Sequence, residues 1–236
     1  HAPSRRAVVA LAMGRGPDAP VRLALVARDG RVGLFDPATA IAGSLDLADP
    51  PGEGMLWERT PVRTLTVTDL HPRPGELLVA GLSNAAFSST LRRVPYPFAG
   101  RAAVTRIEMY HAVHNQLETR APVRAMSVVE LDGAPHLLAA YTCTPLVTAR
   151  LDALSDGAMV RGKTIAELGY GNTPLGVIPF AITYRGHRSE WVLVANSSRS
   201  ADLNALPAIA EANRGPGLSE PMRVPFTTRA GPPAIE

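Results

Sequence analysis

Two histidines three residues apart, with a glutamate four residues beyond the second, form the one tight group of metal-ligand side chains in the sequence: His111-Ala-Val-His114-Asn-Gln-Leu-Glu118. Imidazole nitrogen combined with carboxylate oxygen suits zinc or copper. Cys143, the single cysteine, would add a thiolate if it lay across the same mouth. An H-x-x-H pair alone does not complete a coordination sphere, so other loops must supply the remainder. Oxygen chemistry is the other metal option: Asn84, Asn172 and Asn196 with Glu118 would hold calcium if they converged, although carboxylates are sparse in these loops. As a nucleophile Cys143 would need His111 or His114 as its base. His1, if it were a mature amino terminus, would be a further copper ligand. The chain contains no G-x-S-x-G elbow, G-x-x-x-x-G-K-[ST] loop or G-x-G-x-x-G fingerprint. The common serine-hydrolase and nucleotide-binding chemistries therefore have no local signature here.

The elements that must position these residues show themselves as a long repeat. Four short apolar runs end on a shared alanine: Leu23-Ala-Leu-Val-Ala27, Leu77-Leu-Val-Ala80, Leu137-Leu-Ala-Ala140 and Val192-Leu-Val-Ala195, spaced by 53, 60 and 55 residues. Each reads as a strand buried on both faces and is followed by polar turn residues. Upstream, Pro61-Val-Arg-Thr-Leu-Thr-Val-Thr-Asp-Leu70 and Pro122-Val-Arg-Ala-Met-Ser-Val-Val-Glu-Leu131 match almost position by position and alternate in hydrophobicity. Both read as first strands opening on a tolerated proline. Ala7 to Ala12 and Ile178 to Tyr184 are weaker copies. Breaker-rich turns containing His71, His136 and His187 separate first from second strands. Third strands are expected at Arg31 to Asp36, Ser88 to Val94 and Leu146 to Leu151, and fourth strands at Ala103 to Tyr110 and Met159 to Leu168. Only Leu203 to Asn213, interrupted by Pro207, has the composition of a helix of any length.

The expected fold is therefore all-β: a β-propeller of about four antiparallel four-stranded blades, near residues 1–60, 61–121, 122–176 and 177–236, either as a closed ring or as part of a larger one. One segment carries a resemblance. Ala27-Arg-Asp-Gly-Arg-Val-Gly-Leu-Phe-Asp-Pro-Ala-Thr39 resembles the "x-D-G-x-V-x-x-x-D-x-x-T" repeat of the quinoprotein-like and WD40-like propellers, with Ala40 where that repeat commonly continues with glycine. The resemblance implies architecture rather than activity. Propeller hydrolases of the lactonase kind hold calcium with asparagine and acidic oxygens, which is the model for the asparagine reading above.

In an up-and-down meander, the turn after the second strand and the connection after the fourth emerge at the same end. That end would gather Asn84, Cys143, Thr144, Asn172, Asn196 and Arg199 as ligand-binding candidates beside the metal set His111, His114 and Glu118. Arg63 and Arg124, at equivalent repeat positions, suggest an inter-blade ion pair; Trp57 and Trp191 are expected to fill space between blades. Arg92-Arg93 followed by Val94-Pro-Tyr-Pro-Phe98 is a candidate docking run.

All but Lys163 of the 24 basic residues are arginine, spread along the chain with a net charge of only +3, which argues against a nucleic-acid surface. No run of 18 apolar residues suggests a membrane span. The start at His1 without an apolar signal core leads to the expectation of a processed, periplasmic or secreted protein. The functional expectation is a propeller that binds a ligand, small molecule or partner protein through its polar loop face, with a second polypeptide or missing blades completing the ring. The alternative is a metal- or cofactor-dependent enzyme or redox subunit, with zinc, copper or calcium at the mouth.

Overall fold

The computed structural model describes residues 7–12, 21–36, 43–57, 59–142, 145–169 and 171–222. His1, Cys143 and Thr144, and with them three of the sequence-based expectations, lie outside the described residues. The chain divides into two compact units, His1–Ser44 and Leu45–Glu236. All-β architecture holds: the described residues are mostly strand, in several antiparallel sheets, with one α-helix. No helix among them is long and apolar enough to cross a membrane.

In the first unit β1 (Ala7–Ala12), β2 (Val21–Val26) and β3 (Val32–Phe35) form an antiparallel meander. Its tight turn is made by Asp29 and Gly30, where Gly30 takes φ +83° and the Arg31 N–H donates to Asp29 Oδ1 at 3.1 Å.

The second unit opens with a small hairpin of β4 (Leu56–Trp57) and β5 (Thr60–Pro61). The next sheet runs β6 (Asp69–Arg73), β7 (Glu76–Leu82), β8 (Ser89–Pro95), β9 (Ala103–His111) and β10 (Gln116–Glu118). A four-stranded sheet follows: β11 (Val123–Leu131), β12 (Ala134–Tyr141), β13 (Pro145–Arg150) and, beyond β14 (Met159–Arg161), β15 (Lys163–Glu167). The last sheet contains β16 (Pro174–Tyr184), β17 (His187–Asn196) and β18 (Asp202–Ala205), and leads into α1 (Leu206–Arg214).

Sheets of this unit stack through alternate residues. Leu78, Ala80, Leu91, Ile107 and Met109 pack against Met126, Leu137, Ala139 and Val147. The other face of that same central sheet, through Ala125, Val129, Leu138 and Ala140, packs on Val177, Val192 and Val194. The central sheet is thus buried on both faces, as its apolar runs require. A bulge between Val123 and Ala125 resets the alternation of β11.

Several expectations change. Pro61 to Leu70 is not a strand but a 3-10 turn at Val62–Leu65, with β6 starting only at Asp69. The Thr64 and Thr66 hydroxyls donate back to the carbonyls of Pro61 and Arg63 at 2.6 and 2.7 Å, closing the turn. Gly81 admits it, since a Cβ there would stand 2.0 Å from the Thr66 carbonyl oxygen. The single strand expected over Met159 to Leu168 breaks at Gly162: β14 pairs parallel with β9 in the neighbouring sheet, while β15 returns to its own. A Cβ at Gly162 would meet Val147 Cγ1 at 2.4 Å, so the crossing needs glycine. The helix begins at Leu206 with Pro207 in its first turn rather than interrupting it. His71, His136 and His187 lie in strands at the turn margins. The sheets are not uniformly four-stranded: among the described residues the first and last have three strands, and the second adds β10 and β14.

Arg63 donates to the Pro51 carbonyl at 3.2 Å, while the Arg124 Nε is buried without a hydrogen-bond partner. Among the described residues, neither makes the expected ion pair. Arg93, by contrast, pairs with Glu76, which Arg73 also reaches. Burial raises the Glu76 carboxyl, but the hydrogen bonds and charges of Arg93 and Arg73 outweigh it and hold it below the ordinary carboxylate value. A carboxylate depressed in this way stabilises the fold above its unfolded pKa and ceases to as pH falls through the folded one. Glu76→Gln is therefore expected to be less stable than the native chain at pH 7 in urea titrations. The difference should shrink below about pH 4.

Candidate metal centre

β9 alternates with Thr105, Ile107, Met109 and His111 all buried, so His111 ends the apolar face that meets the central sheet. The chain then turns through Ala112 to Asn115, with Asn115 in the left-handed region at φ +52°, and returns as β10 with Gln116 opposite His111. This hairpin brings the far end of the motif back onto its start. Glu118 Oε1 lies 2.7 Å from His111 Nδ1, 2.9 Å from His114 Nδ1 and 3.2 Å from Gln116 Nε2. The two imidazole rings are 3.9 Å apart, centroid to centroid. His111 is 1% exposed, whereas His114 is 47% exposed and opens the group to solvent.

Burial alone would raise the Glu118 carboxyl. Hydrogen bonds from His111, His114 and Gln116 instead hold it down at about 2, so it is an anion at neutral pH. An ionised carboxylate only accepts, so both histidines donate from Nδ1 to the same oxygen. One ligand atom from each of the three residues falls within 4.8 Å of the others. Donors about 2.1 Å from a tetrahedral ion stand about 3.4 Å apart, so the imidazole nitrogens admit a metal by drawing back from Glu118 Oε1 by roughly half an ångström.

A fourth side chain, Glu167 on β15, went unnoticed in the sequence. Its carboxylate is fully buried, accepts the Ala112 N–H at Oε1 (2.7 Å), and places Oε2 4.0 Å from His111 Nε2. The available signal was a carboxylate closing the strand Lys163-Thr-Ile-Ala-Glu167 directly after the apolar pair Ile165-Ala166.

The other candidates gather elsewhere. Asn172 Nδ2 donates to Asn196 Oδ1 at 2.6 Å, and Asn172 Oδ1 accepts the backbone N–H of Ser197 at 3.2 Å. Asn196 Nδ2 donates to Val194 O, Ser200 O and Asp202 Oδ2, and Arg199 pairs with Asp202. These residues tie the end of β17 to its flanking loops. Asn84 sits in the turn after β7, where its N–H donates to Asp49 O at 3.0 Å. The structure thus brings together His111, His114 and Glu118 as one group, and Asn172, Asn196 and Arg199 as another. Removing Asn172, 4% exposed, leaves several polar groups without partners. Asn172→Ala is expected to cost about 1–3 kcal/mol in chemical denaturation while leaving metal affinity unchanged.

No protein-family model, curated protein or solved structure matches the chain.

Proposed function

We propose that this all-β chain binds one divalent transition-metal ion through His111 Nδ1, His114 Nδ1 and Glu118, with the remaining coordination positions open to water or a ligand. The observation that carries this reading is the convergence of two imidazole nitrogens on one ionised carboxylate oxygen, at 2.7 and 2.9 Å, at the end of a buried strand. Two nitrogen donors favour zinc or copper over calcium, which takes oxygen ligands. Two histidines and one carboxylate also form the ligand set of zinc sites that keep a fourth position for an exchangeable group. The polar loop reading draws less support, because Asn172 and Asn196 direct their hydrogen bonds to each other, to nearby backbone and to Ser197, Ser198 and Asp202, and Arg199 pairs with Asp202. The propeller reading is supported by three sheets stacked in chain order through alternate faces.

Isothermal titration of the full chain with Zn2+ tests the reading. One equivalent bound at about 1 µM or tighter is the expected result. No saturable binding, or binding that His111→Ala leaves untouched, overturns it.

A further inference from the structure

We propose that the segment from Gly215 to Met222, which follows α1, is a strap that positions the turn carrying His114 and thereby sets the affinity of the metal centre. The inference rests on the metal reading above and adds its regulation: metal binding and docking of the strap favour one another. Every residue that carries it belongs to the second unit.

The turn between β9 and β10 is held at Ala112, which is fully buried. Its N–H donates to Glu167 Oε1 at 2.7 Å, and its carbonyl accepts two N–H groups, that of Asn115 at 3.3 Å within the turn and that of Met222 at 3.0 Å from the strap. Both backbone polar groups of Ala112 are thus gripped from outside the hairpin, one by β15 and one by the strap. His114 follows two residues later. His111 takes its place from β9, but His114 stands on the turn itself and depends on where that turn is held. A binding constellation must be kept within about half an ångström of its productive geometry, which is also the distance the imidazoles draw back to admit an ion.

The strap is in turn fixed along β15. Lys163 Nζ donates to the carbonyls of Asn213 and Gly215 at 2.6 and 2.9 Å, taking up the end of α1 and the start of the strap. The Leu218 N–H then donates to Thr164 O at 2.8 Å, and the Thr164 hydroxyl donates to Tyr110 O at 2.6 Å, one residue before His111. Gly217 makes this close approach possible. It takes φ +80°, and a Cβ there would stand 2.7 Å from Lys163 Cγ and 3.1 Å from Thr164 O. The lysine stem cannot swing clear without releasing the two carbonyls that its Nζ holds. Pro216 and Pro221 stiffen the seven residues from Pro216 to Met222, so little freedom is lost when they dock. Coupling between two such events is reciprocal: the factor by which the docked strap tightens metal binding is the factor by which bound metal favours docking.

Gly217→Ala tests this, since it strains and crowds the strap without touching a metal ligand. Hydrogen exchange of the metal-free chain comes first: peptides covering 215–222 and 111–118 are expected to exchange at least about fivefold faster in the variant, with β11 and β12 unchanged. Zn2+ should then bind the variant about five- to tenfold more weakly, and in the native chain Zn2+ should slow exchange of the strap. At saturating Co2+ the visible absorption, which follows ligand geometry, should differ between variant and native chain, a change that a general loss of stability would not produce. Leu218→Pro, which deletes the N–H given to Thr164, takes the place of Gly217→Ala if that variant leaves strap exchange native. A strap that exchanges faster while hairpin exchange, Zn2+ affinity and Co2+ absorption all stay native overturns the proposal and leaves the metal reading standing. A native chain that binds neither ion overturns the metal reading and the claim on affinity together, and hairpin exchange that still follows the strap would then keep only the positioning of the turn.

Discussion

Arg92→Met is expected to lower the unfolding free energy by about 3–5 kcal/mol, the loss that follows when one partner of a buried ion pair is removed. The arginine is fully buried on β8, and every part of its guanidinium is used. Nε and Nη2 reach Asp49 Oδ1 at 2.9 Å, Nη1 donates to Thr66 O at 3.1 Å, and Nη2 also donates to Leu82 O at 3.0 Å. One side chain therefore ties together the segment before β4, the 3-10 turn and the end of β7. Methionine fills similar space but donates nothing, leaving a carboxylate and two carbonyls without that donor. Pairing Arg92→Met with Asp49→Asn should recover part of the loss, because the uncompensated charge is then gone. A change under about 1 kcal/mol in urea titration would show that water replaces the guanidinium at no cost.

This residue also marks the limit of what the sequence reveals. Arg92-Arg93-Val94-Pro-Tyr-Pro-Phe98 reads as a surface docking run. On a strand, however, neighbours face opposite ways, and Arg92 enters the interior while Arg93 reaches Glu76. The four apolar runs were legible as strands, the first ending one residue past β2, but of the four it is Leu137 to Ala140, in the central sheet, that packs on a sheet at each face. Pro61 to Leu70 misled because it shares the strand pattern of Pro122 to Leu131. Its hydroxyl back-bonds and the absent side chain at Gly81, 11 residues beyond Leu70, decide otherwise. The histidine–glutamate group was legible because a hairpin closes its spacing locally. Glu167 was not, since its contacts to Ala112 and His111 come from a different sheet, 55 residues on from Ala112.

The metal centre yields the second large effect: Glu118→Gln should weaken Zn2+ binding by more than ~100-fold, beyond the 10–100-fold typical of removing a residue that only supports a ligand. Glutamine keeps the shape and still offers one oxygen to His111 and His114, so the hairpin should persist. It removes the anion on which both imidazoles converge. Glu167→Gln should fall within that 10–100-fold range, for a different reason. When His111 Nδ1 binds an ion, the ring's remaining proton sits on Nε2, and Glu167 Oε2 is the carboxylate oxygen 4.0 Å away that can accept it after a small approach. Glu167 also anchors the Ala112 N–H, and so fixes the turn that presents His114. Glutamine can keep one of these two contacts only if its carbonyl oxygen is oriented toward it, since its amide nitrogen cannot accept. Comparing the variants by competition with a chromophoric chelator separates the roles. Equal losses would make Glu167 a ligand in its own right, and no loss at Glu167→Gln would mean that His111 is oriented by its packing on β9 alone.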